Sequence, residues 1–144
     1  MRNWFYFLTV VLISSCAESP IEVEEGVVEE KKNFEMYELS EMSAIMQHMY
    51  QLNEQLKARI ENGEELGTYS ESFERILEAE MTKGKQIDDF FKTHAETFLN
   101  DQRSIYENPE QAKELYNKAI NSCVACHEVK CTGPIEKIEK LIIK

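Results

Sequence analysis

The chain of 144 residues lacks several things, and each absence removes a class of protein. Its most apolar stretch, residues 4–13, covers only ten positions, about half of the ~20 that a helix needs to cross a bilayer. Glycine and proline are scarce, at 5 and 3 residues, which excludes collagen-like and Gly/Pro-rich low-complexity architectures. Basic residues are outnumbered 27 to 16, for a net charge of −11. Nucleic acid and anionic lipid headgroups are therefore poor partners. No internal repeat is visible, and no pair of carboxylates or activated nucleophile is placed for acid–base or covalent catalysis, so an enzyme is not expected.

Against these absences stands one stretch, Cys123-Val124-Ala125-Cys126-His127. Two thiols three residues apart can add to the two vinyl groups of a haem, and a His directly after the second can turn its imidazole onto the iron. The expectation is one c-type haem held covalently through Cys123 and Cys126, with His127 as proximal ligand. Two other chemistries share these residues. Cys123, Cys126, His127 and Cys131 could form a Cys3His zinc site, but ligands at adjacent positions 126 and 127 diverge on a helix. A redox dithiol normally follows a strand in a βαβ unit, and no strand signal precedes Cys123.

The other end of the chain supports haem. Residues 1–15 read as an export signal: Arg2 supplies the positive charge, residues 4–13 the apolar core, and Ser14-Ser15 the small residues before Cys16. Ile13-Ser14-Ser15-Cys16 resembles the lipobox of bacterial lipoproteins, in which cleavage leaves the cysteine as a lipidated N-terminus. Ordinary cleavage nearby would leave Cys16 a plain thiol. The expected location is the envelope of a Gram-negative bacterium, anchored through Cys16 and facing the periplasm or the cell surface. That is also where bacteria attach haem to thiols.

Loss of Arg2 with the signal leaves 15 basic against 27 acidic residues, a net charge of −12. Cys131 is left over once Cys16 is assigned to lipid and Cys123 and Cys126 to haem, so no internal disulfide framework is available. Its two readings are a small buried hydrophobe at the haem edge or an intermolecular disulfide. Residues 16–33 carry Glu18, Glu22, Glu24, Glu25, Glu29 and Glu30 around Pro20 and Gly26, with no helical stripe. They read as an extended, self-repelling tether, or as an acidic sorting signal of the kind that follows the lipidated cysteine in some surface lipoproteins.

The domain, residues 34–144, reads as all-α. Leu39, Met42, Met46, Met49, Asn53, Leu56 and Ile60 recur at steps of three and four, predicting a long amphipathic helix over 34–62 that ends at Asn62-Gly63. Phe73, Ile76, Leu77 and Met81 predict a shorter one over 69–81. Ile87, Phe91, Ala95 and Phe98 predict a third over 86–106, stopped by Asn108-Pro109. Ala112, Leu115, Tyr116, Ala119, Ile120, Cys123 and His127 predict a fourth over 109–128, with both thiols and the imidazole toward its apolar side. After Thr132-Gly133-Pro134, the residues Ile135, Ile138, Leu141 and Ile142 give a short last helix, expected to fold over one haem edge.

Four helices with the haem pentapeptide near the end of the last, as in Leu115-Tyr116-Asn117-Lys118-Ala119-Ile120-Asn121-Ser122-Cys123-Val124-Ala125-Cys126-His127, resemble the cytochrome c-prime family and its low-spin relatives. The resemblance covers residues 34 to about 130. It implies an antiparallel up-down-up-down four-helix bundle, with a homodimer through the first two helices as a common arrangement. The family usually has an aromatic and then a basic residue three and four places after the His, where this chain has Lys130 and Cys131. The tail beyond Cys131 lies outside the common pattern.

The resemblance also places Met46 on the distal side of the haem, and Met46 independently lies in the middle of the first-helix stripe. A thioether opposite His127 makes a low-spin, six-coordinate iron of raised potential, suited to one-electron transfer. The acidic surface then steers the protein toward a basic patch on its redox partner. Methionine on a helical stripe is more often packing than ligand; Met42 and His94 are lesser candidates, and His48 falls one position past the stripe. With no distal protein ligand the iron is five-coordinate and open to nitric oxide or carbon monoxide, which makes a gas-binding protein the rival function. If the pentapeptide is accidental, what remains is a non-haem structural lipoprotein.

Overall fold

A computed structural model describes residues 39–144. The export signal, Cys16, the acidic tether and residues 34–38 of the expected first helix lie outside the described residues. Within them the regular structure is all helical. It comprises α1 (Glu41–Asn62), a 3-10 segment (Glu71–Leu77), α2 (Asp89–Glu107), a 3-10 turn (Pro109–Gln111), α3 (Ala112–Lys130) and the short α4 (Ile135–Glu139). None of these helices is long and apolar enough to cross a membrane.

α1 begins later than the periodicity predicts. Ser40 is extended and its side chain accepts from the Ser43 N–H at 3.2 Å, an N-cap that satisfies one of the first-turn donors. Leu39, expected in the stripe, precedes that cap and is 50 % exposed. Met42, Ile45, Met49, Asn53 and Leu56 form the buried stripe. The helix stops at Gly63, whose positive φ of 66° lets its N–H reach the carbonyls of Arg59 and Ile60.

The second predicted helix, residues 69–81, is not an α-helix. Phe73, Ile76 and Ala79 are its buried side chains, and a spacing of three puts them on one face of a helix with three residues per turn. α1 also takes backbone groups that an α-helix through residue 80 would use: Glu80 O accepts from Met42 N–H and Glu80 N–H donates to Glu41 Oε2, each at 3.0 Å.

α2 is capped by Asp88, whose Oδ1 accepts from Phe91 N–H at 2.9 Å. α3 runs antiparallel to it. Ser122 Oγ donates to Asp101 Oδ2 at 2.6 Å, Lys118 Nζ pairs with Asp101 Oδ1 at 2.9 Å, and at the far end Lys130 Nζ pairs with Asp88.

Two apolar clusters fill the interior. The first joins Met42, Ile45 and Met49 of α1 to Phe73, Ile76, Phe91, Ala95, Phe98 and Leu99. The second joins Leu56 to Ile105, Ala112, Tyr116, Ala119, Ile120, Ile138, Leu141 and Ile143. Each fully buried large side chain contributes roughly 1.5–3 kcal/mol. Between the clusters lies a polar layer: Gln102 Nε2 donates to Asn53 Oδ1 at 2.6 Å and Tyr116 Oη donates to Asn53 O at 2.9 Å.

The C-terminal tail folds back onto α3. Ile138, Leu141 and Ile143 seal the second cluster, which Cys123 also borders. Asn117 brackets Ile143, accepting from its N–H and donating to its carbonyl at 2.9 Å each, while Lys57 Nζ donates to Lys140 O at 2.9 Å and to Ile142 O at 3.3 Å. These backbone partners hold the tail against α1 and the first half of α3.

Candidate functional site

The antiparallel run of α3 brings its C-terminal half to the end of the molecule where α1 and α2 begin. Cys123 and Cys126 are half-buried and pack against the first cluster, and so does the half-buried Met46. Met42 and Met49, one turn to either side of Met46, are 5 % exposed and belong to the core proper. Of the α1 methionines in the stripe, Met46 is the one that is not fully buried. The sequence-predicted thiols and thioether therefore border one apolar cluster.

His127 is half-buried in the last turn of α3, and its Nδ1 lies 2.9 Å from the carbonyl oxygen of Cys131. A carbonyl only accepts, so Nδ1 carries the proton of the neutral ring and Nε2 is left with a lone pair. That is the tautomer that a metal-binding imidazole needs, fixed by a hydrogen bond on the far nitrogen.

Burial pushes the Cys123 thiol up to about 12, with Cys126 as the next contributor, and burial likewise raises Cys126 against the opposing pull of Lys130. Cys123 also donates weakly to Ala119 O at 3.5 Å. A redox dithiol depends on a depressed, reactive thiolate, which is the opposite condition. Zinc fares no better, since among the described residues no group of three or more His, Cys, Asp or Glu side chains is assembled for a metal ion.

Cys131 is exposed, the condition that the second of its two readings, an intermolecular disulfide, requires. Its backbone is extended (φ −163°, ψ 86°), its N–H closes the last turn on His127 O, and its carbonyl meets the His127 ring. The backbone is thus fully used while the side chain faces outward. His94 also donates from Nδ1 to a carbonyl, Phe90 O at 2.8 Å, but its ring stacks on Phe90 at 3.9 Å and it lacks the neighbouring thiols of His127. His48 is exposed and pairs through Nε2 with Ser72 at 3.2 Å.

The structure adds two residues that the sequence marked only as helix-stripe positions, and neither lies in a helix. Met81 and Ile87, on the connection between the 3-10 segment and α2, are half-buried against the same cluster as Cys123, Cys126 and Met46. The cue in the sequence was Thr82-Lys83-Gly84-Lys85, a turn that carries no periodicity. Two surface clefts, of about 740 and 530 Å3, lie away from these residues; Ile60, Leu66, Tyr106 and Pro109 line one, and Lys57, Glu61, Glu139 and Lys140 the other.

The donor set suits haem: two thiols one helical turn apart on one side of α3, an imidazole with Nε2 free, and a thioether from the facing helix around an apolar interior. No family model, curated protein or solved structure matches the chain.

Proposed function

We propose that this chain is a monohaem c-type cytochrome that carries one electron in the bacterial cell envelope. The observation that carries the reading is the union of the Cys123-x-x-Cys126-His127 spacing with a His127 ring whose Nδ1 is bound to the Cys131 carbonyl. Haem, when bound, supplies a reversible one-electron iron couple. Cys123 and Cys126 would tether it as thioethers, His127 would offer Nε2, and Met46 would offer a neutral sulfur. Histidine and thioether together favour the reduced metal and raise the potential. Enclosure by Met42, Met49, Phe91 and Ala95 limits water at the site.

The same proposal includes a bundle of the c-prime type. α1, the connection that contains the 3-10 segment, α2 and α3 take its up, down, up and down positions. Export and lipidation at Cys16 place the domain at the membrane, and the acidic tether and surface favour a redox partner with a basic patch.

The test is to produce the full chain in a host with haem-ligation machinery. A coloured protein whose mass includes covalent haem, low-spin in the ferric spin-resonance spectrum and unreactive to carbon monoxide until its distal ligand is displaced, is the expected result. A colourless polypeptide overturns the function; a high-spin iron that binds carbon monoxide at once replaces electron carriage with gas binding.

A further inference from the structure

Residues 78–88 link the 3-10 segment to α2 and run from the first turn of α1 to the last turn of α3. Four bonds fix the α1 side: Glu80 pairs with Met42 and Glu41 at 3.0 Å, and Thr82 Oγ1 meets the hydroxyls of Ser40 at 2.8 Å and Ser43 at 3.3 Å. On the α3 side Lys85 Nζ donates to the Lys130 carbonyl at 3.0 Å, and Lys130 Nζ pairs with Asp88 Oδ2 while lying over the Phe90 ring. Between these anchors Met81 and Ile87 pack into the cluster that also holds Cys123, Cys126 and Met46. One short segment thus ties the helix of Met46 to the helix of His127.

We infer that residues 80–88 are a strap that gates the Cys123/Cys126/His127 site, closed by a latch of Lys85, Lys130 and Asp88. The traffic through it is haem, and later small ligands of the iron, so this rests on the function proposed above. The two anchors are unequal. The α1 side is held by backbone pairs and a knot of hydroxyls. The α3 side is held by an ion pair whose Asp88 side chain is 51 % exposed and by an exposed lysine, contacts that contribute little to stability. Opening therefore begins at the latch. Gly84 (φ 83°) and the Lys85 N–H to Thr82 O bond of 2.9 Å form a tight turn with nothing within 4 Å of an added Cβ at Gly84. The turn faces open space at Gly84, and in the open form residues 83–87 leave together and take the Ile87 side chain from the cluster.

The test uses the haem-free full chain, made in a host without haem-ligation machinery, and iodoacetamide as the probe. Labelling of each cysteine is followed by peptide mass in the parent, Lys85→Met and Asp88→Asn. Asn keeps a cap oxygen for Phe91 N–H, so α2 stays capped. Cys123 is the site read, because Asp88 itself raises the Cys126 thiol; the exposed Cys131 is the internal reference. The expected result is a rise on the order of fivefold in the Cys123 rate relative to Cys131 in both variants, the scale of losing one exposed pair. A Cys123 rate that moves in neither variant overturns the strap. A chain that stays colourless even with ligation machinery, yet whose Cys123 labelling rises in the variants, retains the strap and removes the haem reading. A haem-loading chain whose Cys123 labelling is unmoved does the reverse.

Discussion

His127 and Cys131 are joined twice across the end of α3: the Cys131 N–H donates to the His127 carbonyl at 3.0 Å, and the His127 ring meets the Cys131 carbonyl at 2.9 Å. Both contacts use the backbone of Cys131. Replacing its side chain should therefore leave the imidazole in place. Cys131→Ser is expected to keep the optical spectra of the haem-loaded ferric and ferrous forms, and to abolish any disulfide-linked dimer on a non-reducing gel. A change of spin state in this variant would mean that the thiol itself reaches the iron.

Met46 and its neighbours one turn away should separate cleanly. Met46 borders the thiol cluster half-buried, whereas Met42 lies within the core at 5 % exposure. Met46→Ala is expected to turn the ferric iron high-spin, to lower the potential and to open the ferrous form to carbon monoxide. Met42→Ala is expected to keep the spectrum and to cost about 2–4 kcal/mol in a urea titration, the usual toll of emptying a buried methionine site. The reverse pattern, with Met42→Ala spectrally altered and Met46→Ala silent, would move the ligand up one turn.

What was legible in the sequence was local. The Cys123-x-x-Cys126-His127 spacing lies within two turns of one helix, and the stop signals at Gly63 and Asn108-Pro109 act through their own backbone. The Phe73, Ile76 and Leu77 triplet was ambiguous, since steps of three and four cannot separate a 3-10 from an α period over so few residues. Choosing between them took Glu41 and Met42, more than thirty residues away, which claim the backbone of Glu80. The seat of the tail was illegible for the same reason: Ile138 and Leu141 advertised an apolar face, but Asn117 and Lys57 decided where it lay. Exposure of Cys131 follows from the end of α3 and the turn beyond it, which composition does not encode.

The polar layer between the clusters gives a sharp energetic test. Gln102 is completely buried, and its Oε1 has no partner among the described residues while its Nε2 serves Asn53. Gln102→Leu leaves Asn53 Oδ1 unpaired, and Asn53→Leu strands the Gln102 amide; each should cost about 1–3 kcal/mol. The double variant should cost less than the two singles together, by ~0.5–3 kcal/mol, because it leaves neither amide stranded. Urea titrations of all four proteins check this. Strict additivity would show that the two amides do not depend on each other.

Asp88 carries the pH dependence of the strap end. The Lys130 ammonium first, and then the Phe91 N–H, hold its carboxyl below the ordinary value of 3.8. A carboxyl lowered by folding adds stability that is complete above its unfolded value and disappears as pH falls through its folded value. The group is half exposed, so the effect is small, but its sign is fixed. The gap in urea midpoint between the parent and Asp88→Asn should be constant from neutral pH down to about pH 5, then close toward zero near pH 3 and below. Glu41, also lowered through Glu80 and Arg75, titrates in both proteins and cancels from the difference. A gap that widened on acidification would mean that Asp88 is destabilising when charged, and the pairing with Lys130 would then hold nothing closed.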